Sequence, residues 1–251
     1  VNWLSSFIGL LIVLAAAGMI LVFSLPAARR TKRTFRFIPA LQRLRRALGL
    51  AVEDGSRLHV SLGKSSIFSP TNSSALVGLA TLERIAQMSS VSDRPPVATS
   101  GDGTLSILSQ DTMRAAYRIA NAPELFDVER GRLAGPTPLS YIAGSLPVIR
   151  DERVSTNVLV GNFGPEVALL AEASDQEDAF TLGASDSLAA QAVLFASSEE
   201  TLIGEELYAL PAYLQAGPAH QASLRAQDVL RWAVVGLIVL AVLLSFLGII
   251  L

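Results

Sequence analysis

Thr156-Asn157-Val158-Leu159-Val160-Gly161-Asn162-Phe163-Gly164-Pro165-Glu166 sets a β-branched run, a glycine-asparagine loop and a helix start in direct succession. Val158, Leu159 and Val160 have no alternating polar residue, as expected of a strand buried on both faces. Pro165 takes the first helical position, where its missing N–H costs nothing, and Glu166 in the first turn suits the helix dipole. A strand that passes to a helix through a short glycine loop is the repeating unit of a parallel sheet.

Three other stretches follow the same plan. Upstream, Leu58-His59-Val60-Ser61-Leu62 runs into Gly63-Lys64-Ser65-Ser66. After a longer loop through Pro70, a helix is expected from about Ser73 to Met88, with Leu76, Leu79, Leu82, Ile85 and Ala86 on one stripe. Next, Pro96-Val97-Ala98-Thr99 leads through Ser100-Gly101-Asp102-Gly103 to a helix bearing Ile107, Leu108, Met113, Ala116 and Ile119. Downstream, Ala179-Phe180-Thr181-Leu182 leads through Gly183-Ala184-Ser185 to a helix through Leu194, capped by Asp186 or Ser187. The proline-rich stretch from Pro123 to Pro147 reads as an excursion or connecting arm, and residues 199–214 as a further helix stopped by Gly217-Pro218. The expected fold class is therefore α/β: a Rossmann-like, mainly parallel sheet with flanking helices and right-handed crossovers over residues 51–218.

In such a sheet the four loops emerge together at the carboxyl edge, where open α/β folds bind ligands. Gly63, Lys64, Gly101, Asp102, Gly103, Asn162, Gly164, Gly183 and Ser185 form that edge and are the candidate ligand-binding residues. Glycine admits close approach of backbone N–H groups and helix N-termini add a positive field, which suits anionic or polar ligands. Turn chemistry alone also calls for glycine and helix caps at these places.

The chain has 251 residues, 51% apolar and 17% charged, with a formal charge of −2. Two apolar runs stand outside the α/β pattern. Residues 3–25 carry no charge and, at about 1.5 Å per residue, cover a hydrocarbon core of roughly 30 Å. Residues 230–251 are interrupted only by Arg231 at their start, whose side chain can reach lipid phosphate. The first run is not expected to be a cleaved signal peptide, because its positive charges follow the apolar stretch instead of preceding it. Between Pro26 and Arg46 lie eight basic residues, Arg29, Arg30, Lys32, Arg33, Arg36, Arg43, Arg45 and Arg46, and no acid. By the positive-inside rule this collar, with Arg225 and Arg231, places the soluble domain in the cytoplasm and both termini outside. The location expected is the inner (plasma) membrane.

The organisation that follows is a first transmembrane helix over 1–25 and a basic juxtamembrane segment over 26–50. The α/β domain then spans 51–218, and 219–251 form a helix that continues from about His220 into a second span. Trp3 and Trp232 suit the headgroup depth at opposite faces, and Ser5 with Gly9, and Ala241 with Ser245, allow close helix approach. Within the collar Phe37, Leu41, Leu44 and Leu48 recur at helical spacing. A short helix from about Pro39 would lie along an anionic inner leaflet, or the collar is an ordinary positive flank.

Taking away the eight collar cations and Arg231 leaves eleven basic residues against twenty-two acids, so the domain carries −11. That charge repels phosphate backbones and argues against a nucleic-acid partner. Specific chemistries fare no better. Gly63-Lys64-Ser65 lacks the earlier glycine of a phosphate-binding P-loop, since Leu58 stands there, and Ser106 breaks the dinucleotide order after Gly101 and Gly103. Zero cysteines and only His59 and His220 leave no metal site, and no serine elbow is present. Glu199-Glu200 and Glu205-Glu206 read as a solvated helix face, and Asp102 as the cap of the helix after it. No cofactor, metal or catalytic residue is assigned; Lys64, Asp102, Asn162 and Asp186 would be tested first.

The stretch from Thr181 to Leu214, Thr-Leu-Gly-Ala-Ser-Asp-Ser-Leu-Ala-Ala-Gln-Ala through Glu-Glu-Leu-Tyr-Ala-Leu-Pro-Ala-Tyr-Leu, resembles a bacterial two-span membrane-protein family described as a domain of unknown function. The resemblance covers the second half of the chain and implies no activity, cofactor or site residue. The expected function is a non-enzymatic, membrane-anchored scaffold that forms homo-oligomers on anionic lipid. The alternatives are a small-molecule or nucleotide-binding domain with its pocket at the loop edge, and an accessory subunit of a larger membrane complex.

Overall fold

The structure is a computed structural model that describes residues 3–25, 36–68 and 73–246. In chain order its elements are α1 (Trp3–Ser24), α2 (Pro39–Glu53), β1 (Arg57–Gly63), α3 (Ser73–Met88), β2 (Val97–Ser100), α4 (Gly103–Ile119), β3 (Gly131–Leu133), α5 (Pro138–Asp151), β4 (Val154–Asn162), α6 (Ala168–Gln176), β5 (Phe180–Ser185), α7 (Leu188–Ser197), β6 (Glu200–Leu202), α8 (Glu206–Tyr213) and α9 (Pro218–Phe246). Single 3₁₀ turns lie at Pro123–Leu125, Val128–Arg130 and Pro165–Val167. Two units result: Phe37–Ala216, and the terminal segments that hold α1 and α9.

Within Phe37–Ala216 the strands form one sheet in the order β3-β2-β1-β4-β5-β6, and every pairing is parallel. Strand alternation sends Leu58, Val60, Leu62, Val158, Val160, Leu182 and Ala184 to one face, where α2, α3, α4 and α8 cover them. The other face carries Leu159 beneath Tyr141, Ile142 and Ile149 of α5, Leu170 and Ala173 of α6, and Ala190 and Leu194 of α7. Both faces are covered, as a parallel sheet requires.

Four expectations need correction. The stretch from Pro123 to Pro147 is no excursion: it contributes β3 and most of α5, which buries Tyr141, Ile142, Ser145, Val148 and Ile149. Its prolines mislead because Pro138 occupies the helix's first position behind the Thr137 cap, where proline is favoured, while Pro147 sits inside the helix. The helix expected over 199–214 is β6 followed by the shorter α8. Glu199 accepts a hydrogen bond from the Thr181 N–H of β5 and Glu200 pairs with Arg43 of α2 at 2.5 Å, so each acid has a partner within the domain.

The collar helix forms as expected from Pro39, but Leu41, Leu44 and Leu48 are buried in the domain core against β1, β4, β5 and β6. An amphipathic stripe reads the same whether a sheet or a lipid surface covers it. Lastly, Gly183, Ala184 and Ser185 are the end of β5 and not a loop.

In the terminal unit α1 and α9 lie against each other. Both are long and apolar enough to cross a membrane, and the most apolar window of each has no residue buried. A Cβ built on Gly9 meets nothing, so the small Ser5–Gly9 pair leaves open space there. Arg29, Arg30, Lys32 and Arg33 lie outside the described residues.

Candidate functional site

The strand order turns back between β1 and β4, whose helices α3 and α6 lie on opposite faces, and a crevice is expected outside the carboxyl ends of that pair. The loop after β1 and the loop after β4 do meet there. Gly63 has φ +68° and lies so close to β4 that a Cβ would strike the Asn162 carbonyl oxygen, which is why only glycine fits. The Lys64 N–H donates to that same Asn162 oxygen at 2.9 Å, and the Gly101 N–H donates to the Gly63 oxygen at 2.8 Å.

Side chains close the rest of the crevice. Lys64 Nζ pairs with Glu166 Oε1 at 3.2 Å, and the Glu166 carboxylate occupies the space a Cβ on Gly164 would need. Asn162 Nδ2 donates to Asp186 Oδ1 at 2.7 Å, and Ser185 Oγ accepts from the Phe163 and Ser187 N–H groups. Asp186 therefore serves Asn162, and neither it nor Ser187 caps α7 through its side chain. Asp102 caps α4 by accepting from the Leu105 N–H at 3.0 Å. Gly103 opens α4 with free space around it, and Gly183 packs under Leu194. The structure thus gathers Gly63, Lys64, Gly101, Asn162 and Gly164 at one place, with Ser185 one strand further along, and leaves Gly183 inside the sheet.

Beneath this edge lies a polar network formed by residues not proposed as site residues. His59, Ser61, Thr99, Asn157 and Ser174 are fully buried and Tyr141 is 1% exposed. Ser174 donates its hydroxyl to the Leu170 carbonyl at 2.9 Å, so it must accept from Asn157 Nδ2 at 2.6 Å. That orients the Asn157 amide oxygen toward His59 Nδ1 at 2.8 Å, which must then carry the proton. His59 Nε2 in turn accepts from Thr99 Oγ1 at 2.9 Å. The Tyr141 hydroxyl lies 3.2 Å from Thr99 Oγ1, bonds to Ser61 Oγ, and accepts from the Gly63 N–H at 3.2 Å. Burial holds His59 well below its ordinary 6.5, at about 4, despite the bond to Asn157. Burial likewise raises the Tyr141 hydroxyl above its usual 10.

Chemically, the network is neutral at pH 7 and saturated. It links the middle of the sheet to the loop edge, and Tyr141 stands in the crevice with its hydroxyl on the glycine-loop N–H. Spacing in the sequence offered no way to find it, because Tyr141 lies 80 residues from Ser61 in a stretch read as an arm. Among the described residues no group of three or more His, Asp or Glu side chains is placed to hold a metal. A separate open cleft of about 380 Å³ is lined by Ala171, Glu172, Asp175, Thr181, Ser198 and Glu199, away from the glycine loops.

Fold and termini together define a class, an α/β domain held between two apolar helices long enough to cross a membrane. Within that class the chain belongs to the family described as domain of unknown function DUF6754, whose model matches residues 2–251. The resemblance read from the second half therefore extends over nearly the whole chain. No curated protein and no solved structure matches it.

Proposed function

We propose that the chain is a membrane-anchored, non-enzymatic scaffold whose Rossmann-like domain sits in the cytoplasm and self-associates. The observation that carries this reading is the filled crevice. At the switch point, where a Rossmann-like sheet presents free loop N–H groups to a ligand, the N–H groups of Gly63, Lys64, Gly101 and Phe163 are bound to Tyr141, Asn162, Gly63 and Ser185. Anchoring is supported by α1 and α9, whose apolar side chains, from Phe7 to Leu14 and from Val234 to Leu243, are left uncovered over an area far larger than a soluble surface tolerates. The basic residues after α1 support the inside orientation at the inner (plasma) membrane.

The experiment is native mass spectrometry of the full chain, extracted gently from its own membranes. A homo-oligomer is expected. A monomer at micromolar concentration overturns self-association, and a retained small molecule or nucleotide overturns the closed crevice in favour of a ligand-binding domain. A fixed heterologous companion makes the chain an accessory subunit. Orientation is read separately. The chain has no cysteine, so Ser197→Cys in the domain supplies the only thiol, and an impermeant maleimide should label it in inverted vesicles and not in intact cells.

A further inference from the structure

The opposite, amino edge of the sheet gathers arginines from three adjacent strands. Arg57 opens β1, Arg94 stands just ahead of β2, and Arg130 and Arg132 flank the first residue of β3. The order β3-β2-β1 sets these strands side by side. Three of the four converge on Glu152, which follows α5. Arg57 Nε lies 3.2 Å and Arg130 Nη1 3.1 Å from Oε2, and Arg132 Nη1 lies 2.7 Å from Oε1. Asp127 takes Arg130 Nε at 3.2 Å.

Three guanidinium groups therefore share two carboxylates, in a place where the Arg57 side chain is only 12% exposed and that of Glu152 17%. Arg94 is exposed and adds a fourth positive charge. Burial first, then Arg130, with smaller effects from Arg94 and Arg132, pushes Arg57 below its ordinary value, and Glu152 offsets only part of this. The buried Nε atoms of Arg57 and Arg130 have no well-directed hydrogen bond. Cations crowded in this way cost free energy unless something neutralises them. A tetrahedral oxyanion supplies both the missing charge and acceptors matched to the planar guanidinium fork.

We propose that Arg57, Arg94, Arg130 and Arg132 form a binding site for a phosphate group at the amino edge of the sheet. Arg57 and Arg130 form its buried floor, while Arg94 and the 38% exposed Arg132 are its accessible arms. The phosphate is either the free anion or a phospholipid headgroup, and only the second source rests on the membrane reading above.

The test uses the full chain and the arginine reagent phenylglyoxal, with adduct rates at Arg94 and Arg132 read by mass spectrometry. In neutral detergent, inorganic phosphate at fixed ionic strength is compared with chloride. In nanodiscs, phosphatidylcholine alone is compared with phosphatidylcholine containing phosphatidic acid. Protection of about fivefold or more is expected at both arginines. Protection by inorganic phosphate identifies the free anion, and protection only in phosphatidate discs identifies the headgroup. Arg132→Gln, which removes one half-exposed arm and leaves the Arg57 and Arg130 side chains in the chain, should abolish protection of Arg94. No protection in either arm, or protection of Arg94 that survives Arg132→Gln, overturns the site while leaving the scaffold reading intact.

Discussion

His59 shows how one buried residue makes the domain sensitive to pH. Its imidazole sits at about 4 in the folded chain against 6.5 in the unfolded chain. Below pH 6.5 the unfolded chain takes up a proton that the folded chain refuses. Stability is therefore complete above 6.5, falls as pH drops from 6.5 to 4, and flattens below, by about 3 kcal/mol in all from this residue. Urea unfolding followed from pH 7 to 4 should show that loss, and His59→Gln should remove it. Tyr141 provides a second test. Tyr141→Phe keeps the ring but strips the hydroxyl that serves Ser61, Thr99 and the Gly63 N–H, at a cost of about 1–3 kcal/mol in the same assay. A change under about 0.5 kcal/mol would mean that water replaces the hydroxyl without loss.

Among the elements, α2 carries the clearest contrast between pattern and placement. Leu44 is fully buried in the domain while Phe37, on the segment leading to it, is 68% exposed. Leu44→Ala should lower stability by about 2–5 kcal/mol and Phe37→Ala by less than about 0.5, both by urea titration. Equal, small effects would return α2 to the lipid surface. The difficulty was physical. Period 3.6 identifies a face to be covered and says nothing of what covers it, whereas β1, β2 and β4 were legible because each passes into a glycine loop, and α3 and α4 because each carries an apolar stripe. β3 and β6, at three residues each on the sheet's edges, are too short to show any period. The candidate site was half legible for the same reason. Its glycines announce the turns, but the partners that close it, Tyr141 above all, arrive from a helix concealed among prolines. For α1, the open space at Gly9 predicts that Gly9→Leu leaves the folded chain intact; if spans of two copies meet there, it should dissociate the oligomer in native mass spectrometry.

At the scale of the whole molecule, the domain's first helix and its last residues are fastened to one another. Arg45, on α2, donates to the Tyr213 carbonyl, and Arg84, at the end of α3, donates to the Leu214 carbonyl at 2.8 Å. Arg43 adds its bond to Glu200. Of the collar residues read as facing lipid, Arg43 and Arg45 bond to the domain while remaining, like Arg46, exposed. Fraying of the domain's last residues is thereby opposed by side chains that stand 168 and 130 residues earlier in the chain, so the end of the domain is held by its beginning.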